Sequence, residues 1–341
     1  MKIAIVNDSD LAVNTLRQLI LTVPEYDVVW IARGGRDAID KCFRQKPDLI
    51  LMDIQIPDLD GVRTTAEIMK NNPCPILIVT SSINENAGKV FEAMGNGALD
   101  AVVTPIPGAE DFLECGKEVL RKIDLIKKFS GYGEDKAALS ESSENALPAY
   151  SDLPRLVIIG SSTGGPNALL KILTDLPQDP SMTIVIIQHV DEEFAGDLTE
   201  WLAELTGRSV TLARENGIPK SGKVYIAGTN DHLVINSKLQ FHYTSEPRDY
   251  PYRPSVNEFF MSISRHWPQK GVAVLLTGMG RDGAKGLLAL RKTGWHTIVQ
   301  DQQTSIIFGM PKAAIDCGAA VETLALSLIG RAIADKFGVV L

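Results

Sequence analysis

Short apolar runs recur along this chain, and most are followed by longer amphipathic stretches. In the first third the runs are 2–6 (KIAIV), 27–31 (DVVWI), 48–52 (DLILM), 76–79 (ILIV) and 100–103 (DAVV). Runs of this length, rich in Val and Ile and bounded by turn residues, predict buried strands with helices between them. The same pattern returns after residue 153, with LVII at 156–159, TIVIIQ at 183–188 and VAVLL at 272–276. The intervening residues 129–152 are rich in Ser, Gly, Glu and Ala and show no apolar face, so they predict a linker. Strand–helix alternation favours mostly parallel sheets with helices on both faces. The predicted fold class is therefore α/β, with two doubly wound domains at 1–128 and 153–341.

Ligands of such sheets sit at the carboxyl ends of the strands. In the first domain those ends carry Asn7-Asp8, Asp53, Thr80 and Thr104-Pro105. Two acids brought together there favour a divalent cation such as Mg²⁺. A carboxylate in that position can also accept a phosphoryl group. A single Asp at a strand end is more often a cap or turn residue; agreement among several strand ends is what raises the chemical reading.

In the second domain, residues 156–166 read LVIIGSSTGGP, an apolar strand that stops in a glycine-rich turn. Gly160-x-Ser162-x-Gly164 has the spacing of a nucleophile elbow, with a helix predicted near Pro166. The same stretch also fits a phosphate loop or an ordinary βα turn. A serine nucleophile needs a base within reach and an acid to orient that base. Of the five histidines, His189 alone directly follows an apolar strand, TIVIIQ. His232 falls in a loop reading AGTNDHL, His242 in an alternating strand, and His266 and His296 beside Trp267 and Trp295. Asp282 lies in the glycine-rich turn after 272–276. It can reach a neighbouring strand end or cap the helix beginning near Ala284.

Composition narrows the function. A net charge of −8 argues against nucleic acid as the main partner. No uninterrupted apolar stretch of about 18 residues predicts a membrane span. The opening MKIAIVNDSD lacks a signal-peptide pattern, so a cytoplasmic protein is expected. Cys42, Cys74, Cys115 and Cys317 are scattered without metal-ligand spacing, and each is expected to be a small core residue. The 160–165 loop lacks the lysine of a nucleotide-binding P-loop.

Residues 1–128 resemble a response-regulator receiver, a flavodoxin-like domain. The resemblance implies Asp53 as phosphoacceptor, Asp8 with Asp53 as ligands of Mg²⁺, and Thr80 as a switch hydroxyl. Pro57 and Asp60-Gly61 match the family's loop. Three positions depart from its pattern: Asn7 replaces an acid, Thr104 replaces the lysine before Pro105, and Ala101 replaces an aromatic. These departures imply weaker metal binding and weaker phosphate sensing.

Residues 153–341 resemble the catalytic domain of the CheB family of protein-glutamate methylesterases, a Rossmann-like α/β domain. The matching segments are Gly160–Gly165, Gln188-His189, Tyr252–Val256, Leu276–Gly283 and Phe308–Pro311. The resemblance implies Ser162 as nucleophile, His189 as base and Asp282 as its orienter. It also implies roles for Thr163 beside the nucleophile and for the Met279 N–H in an oxyanion hole. It further implies a methyl-accepting receptor as substrate, a histidine kinase as upstream partner, possible glutamine deamidation, and no cofactor for catalysis. Asn7 and Thr104 resemble the surface-sensing Wsp branch more than the chemotaxis branch. A non-catalytic adaptor with a degenerate receiver that docks on receptors is the competing expectation.

Overall fold

The computed structural model describes residues 1–80, 86–105, 107, 112–130, 153–248, 250 and 252–339. The chain divides into two compact units, Met1–Ser130 and Gly131–Leu341. Residues 131–152 of the predicted linker lie outside the described residues, and residues 129 and 130 belong to the last helix of the first unit.

The first unit runs β1 (Lys2–Val6), α1 (Asp10–Leu21), β2 (Asp27–Ala32), α2 (Gly35–Arg44) and β3 (Leu49–Met52). It continues through α3 (Gly61–Asn71), β4 (Ile76–Thr80), α4 (Ala87–Gly95), β5 (Asp100–Val103) and α5 (Phe112–Ser130). All five strands are parallel, in the order β2-β1-β3-β4-β5. The predicted strands hold to within a residue or two at each end. β3 and β4 are buried along their whole length because helices cover both faces. β1 leads outward to β2 and β3 leads outward to β4, so the order reverses between β1 and β3. Such a reversal opens a crevice at the strand ends. Asp8 and Asp53 border it.

The second unit runs β6 (Arg155–Ser161), α6 (Gly165–Asp175), β7 (Met182–Gln188), α7 (Glu192–Thr206), β8 (Val210–Leu212), β9 (Val224–Ile226), β10 (His232–Ile235) and β11 (Phe241–Thr244). It continues through α8 (Val256–His266), β12 (Val272–Leu275), α9 (Ala284–Lys292), β13 (His296–Gln300), α10 (Met310–Asp316), β14 (Glu322–Leu324) and α11 (Leu326–Phe337). Seven parallel strands form one sheet, ordered β14-β13-β12-β6-β7-β9-β8, and β10 and β11 form a separate antiparallel hairpin. The chain leaves β6 toward β7 and leaves β12 toward β13. The reversal therefore falls between β6 and β12, and the crevice opens above them. A core of Ile158, Val185, Val256, Phe259, Phe260 and Leu275 fixes α8 against this part of the sheet.

Two expectations change here. His232 is not in a loop: it begins β10 and is fully buried. Cys317 is exposed because it closes α10 at the surface, whereas Cys42 and Cys74 are core residues with sulfurs 3.9 Å apart. Among the described residues, no helix is long and apolar enough to cross a membrane.

Candidate active site

β6 ends at Ser161, and the chain turns through Ser162 and Thr163 into α6. Only Gly164 in this turn takes a left-handed backbone, φ 77°. Gly160 has another use: a Cβ there would lie 2.3 Å from Val256 Cγ1, so its absence lets α8 approach β6. Gly165 likewise leaves room for the Gln188 side chain. Gln188 accepts a 2.6 Å hydrogen bond from Ser161 Oγ and donates to the carbonyls of Ser162 (2.9 Å) and His189 (3.1 Å). Ser161 is thereby committed to structure, and Ser162 presents the remaining hydroxyl. The Ser162 N–H donates to Thr277 O, which ties the elbow to the end of β12.

Register brings the strand ends together. Ser161 pairs with Gln188 and Gly160 with Leu275, so Ser162, His189 and the turn after β12 share one edge. A Cβ on Gly278 would stand 2.8 Å from Ser162 Cβ, which places the Gly278–Met279 backbone beside the nucleophile position. The Ser162 amide is already engaged, so the Met279 and Thr163 N–H groups are the candidate oxyanion donors. Thr163 is anchored through its carbonyl, which accepts from Thr277 Oγ1 at 2.9 Å.

His189 Nε2 lies 2.8 Å from Asp282 Oδ2. Its Nδ1 is buried without a hydrogen-bond partner, so the Ser162 hydroxyl is not bonded to it here. An ionised Asp282 fixes the proton on Nε2 and leaves the Nδ1 lone pair free. The serine-protease arrangement uses the two ring nitrogens the other way round. Tyr252 stacks flat on the imidazole, with centroids 4.5 Å apart and planes 7° from parallel, and so fixes the ring plane.

Asp282 does not cap the helix that follows it. Gly283 is the N-cap of α9, without a side-chain cap. The carboxylate sits instead at the N-terminus of α8. Val256 N–H donates to Oδ2 (2.7 Å), while Asn257 N–H (3.0 Å), Ser255 Oγ (2.9 Å) and Gly283 N–H (3.0 Å) donate to Oδ1. Burial alone would raise this carboxyl. The hydrogen bond and charge of His189, with the α8 amides, outweigh burial and hold it below its ordinary range. An acid held ionised in this way can orient a histidine and stabilise its cation.

His232 supports this arrangement and was not singled out by its sequence context. Its Nδ1 accepts from Ser255 N–H at 3.1 Å and its Nε2 donates to Pro247 O at 3.1 Å. It braces the segment that carries Tyr252 and Ser255 to the site. Ser255 did carry a sequence signal: Ser255-x-x-Glu258 fits a capping box. Replacing His232 by Leu should orphan the buried Ser255 N–H and the half-buried Pro247 carbonyl. The expected loss is about 3 kcal/mol of stability, read as a fall in melting temperature, with a parallel fall in kcat.

In the first unit, the Asp53 carboxylate accepts from Asn7 Nδ2 (2.9 Å) and Gln55 N–H (3.2 Å). Burial raises the Asp53 carboxyl to about 6; its backbone hydrogen bonds act against this, and Asp8 adds to it. Gly61 lets α3 begin directly on the Asp53 carbonyl, since a Cβ there would lie 2.2 Å from that oxygen. Asp8, Asp53 and Thr104 line the same crevice. Thr80 is not among the residues lining it; its hydroxyl accepts from Asn86 Nδ2 at 3.5 Å, and Asn86 is tied in turn to Gln55. Among the described residues no cluster of three or more His, Cys, Asp or Glu is placed to hold a metal. Two carboxylates do suit Mg²⁺, which completes its shell with water and phosphate oxygens.

Family models match both units: a response regulator receiver domain over residues 3–114 and a CheB methylesterase over residues 157–333. A receiver followed by such a domain defines the class, a response-regulator ester hydrolase. A protein-glutamate methylesterase/protein-glutamine glutaminase of Burkholderia thailandensis is 47% identical over 96% of this chain and 95% of its own length. One from the group 3 operon of Pseudomonas putida is 47% identical over 99% of both. The crystal structure of the Thermotoga maritima CheB methylesterase catalytic domain covers 54% of this chain and 98% of its own. It shares 32% identity with a TM-score of 0.52. The chain belongs to the CheB family of protein-glutamate methylesterases.

Proposed function

We propose that Ser162, His189 and Asp282 carry out the hydrolysis of glutamyl methyl esters on the cytoplasmic segment of a methyl-accepting receptor. The observation that carries this reading is the 2.8 Å His189–Asp282 pair beside Ser162, with Nδ1 left free. Ser162 Oγ attacks the ester carbonyl while Nδ1 takes the hydroxyl proton. The N–H groups of Met279 and Thr163 receive the developing oxyanion. The Nδ1 proton passes to the leaving oxygen and methanol departs. Water then attacks the acyl-serine by the same path, and the glutamate is released. The same attack on a glutamine side chain would release ammonia. The ordered donors around Asp282 favour an enzyme over a docking adaptor.

The receiver is proposed to control this reaction through phosphorylation of Asp53 by a histidine kinase. Asp8 and Asp53 would hold the Mg²⁺, which neutralises phosphate charge during transfer. Asn7 and Thr104 still allow this role, because Asn7 hydrogen-bonds the acceptor directly. Acetyl phosphate with Mg²⁺ should raise methanol release by the full chain, and Asp53→Asn should remove the response. Unchanged release, equal to that of residues 153–341 alone, would rule out receiver control.

A further inference from the structure

Among the described residues lining the receiver crevice, one buried side-chain polar atom has no hydrogen-bond partner. Thr104 is 4% exposed and lines the crevice with Asp8 and Asp53. Its Oγ1 is buried without a hydrogen-bond partner, while its backbone N–H is engaged by Thr80 O at 2.9 Å. A buried orphan hydroxyl destabilises a fold, and a valine would fill the same volume without that cost. The hydroxyl therefore points to a ligand. Its surroundings say which kind. Asn7 Nδ2 is committed to Asp53 Oδ2, and the amide orientation is fixed because Asn7 Oδ1 accepts from Ser9 N–H at 2.9 Å. No lysine or arginine is among the described residues lining the crevice. With Asn7 Nδ2 already engaged, the Thr104 hydroxyl is the buried, unpartnered donor that a group carried by Asp53 would meet.

We propose that Thr104 Oγ donates a hydrogen bond to a terminal oxygen of the phosphoryl group on Asp53, while Asn7 holds the acceptor carboxylate. This rests on the reading of Asp53 as the phosphoacceptor. In the step itself an Asp53 carboxylate oxygen attacks the phosphorus of an acyl phosphate. The bond from phosphorus to the acyl oxygen breaks, and the carboxylate leaves with the electron pair. No net proton is needed. With no side-chain cation among the described residues lining the crevice, neutral donors direct the phosphoryl group, and the positive charge comes from the divalent ion that Asp8 and Asp53 would hold.

The test uses the full chain with acetyl phosphate and Mg²⁺, following the mass increment of one phosphoryl group over time. Thr104→Val should label at least about tenfold more slowly than wild type, the scale of one hydrogen bond to a charged group. Thr104→Ser, which keeps the hydroxyl, should label within about twofold of wild type. Thr104→Val should melt no lower than wild type, which separates ligand binding from a structural role. Labelling of Thr104→Val at the wild-type rate overturns the proposal, as does a Thr104→Ser variant as slow as Thr104→Val. If wild type takes no label, or Asp53→Asn labels equally, the acceptor assignment fails and Thr104 falls with it.

Discussion

Ser162→Ala is expected to lower methanol release from methylated receptor by about 10⁶-fold, the scale found when a serine nucleophile is removed. The neighbouring Ser161 cannot take over. It is fully buried and its hydroxyl is held by Gln188 at 2.6 Å. The backbone of the elbow does not depend on the lost hydroxyl, since Ser162 N–H still reaches Thr277 O and Gly165 N–H still reaches Ser162 O. The variant should therefore fold and melt like wild type. Release that stays within about tenfold of wild type would assign the nucleophile to another residue.

Asp282→Asn should cost about 10⁴-fold in kcat, because an amide does not enforce the tautomer that leaves Nδ1 as base. It should also destabilise the second unit. Five donors converge on the carboxylate, and an asparagine would turn its NH₂ toward some of them. The pH dependence follows from the sign of the shift. The folded carboxyl titrates below the unfolded one: burial opposes this, but His189 and the α8 amides prevail. Its stabilising contribution is then complete above about pH 4 and drains away as pH falls through the folded value. Thermal melts from about pH 5 to pH 2 should show this loss in wild type and a weaker one in Asp282→Asn. A variant with wild-type kcat would remove Asp282 from the mechanism.

The strands and the rule that ligands gather at their carboxyl ends were legible because hydrophobic periodicity is local. That rule singled out Asp8, Asp53, His189 and Asp282, and the glycine spacing of the elbow added Ser162. What surrounds them was not legible. His232 looks like a loop histidine from its neighbours in sequence, and its role depends on Ser255, 23 residues away. The cap partner of Asp282 could not be read either: proximity favours α9, but packing of Val256 into the space left by Gly160 brings α8 instead. Of the two elbow glycines, Gly164 is needed for the turn as its spacing suggests, but Gly160 serves close packing against Val256 instead. Asn7 reads as a lost metal ligand, and only the geometry gives it a second use as a donor to Asp53.

The attachment of Asp282 to the first amides of α8 has a consequence for how this enzyme can be switched. The group that orients the catalytic histidine is also the anchor of a helix built into the hydrophobic core. Undocking α8 strips Asp282 of its amide donors, and moving Asp282 strips α8 of its cap. Graded distortion of His189 is therefore a poor route to regulation, since each step along it begins to unfold the domain. A controller of this active site does better to leave the triad assembled and act on who may enter.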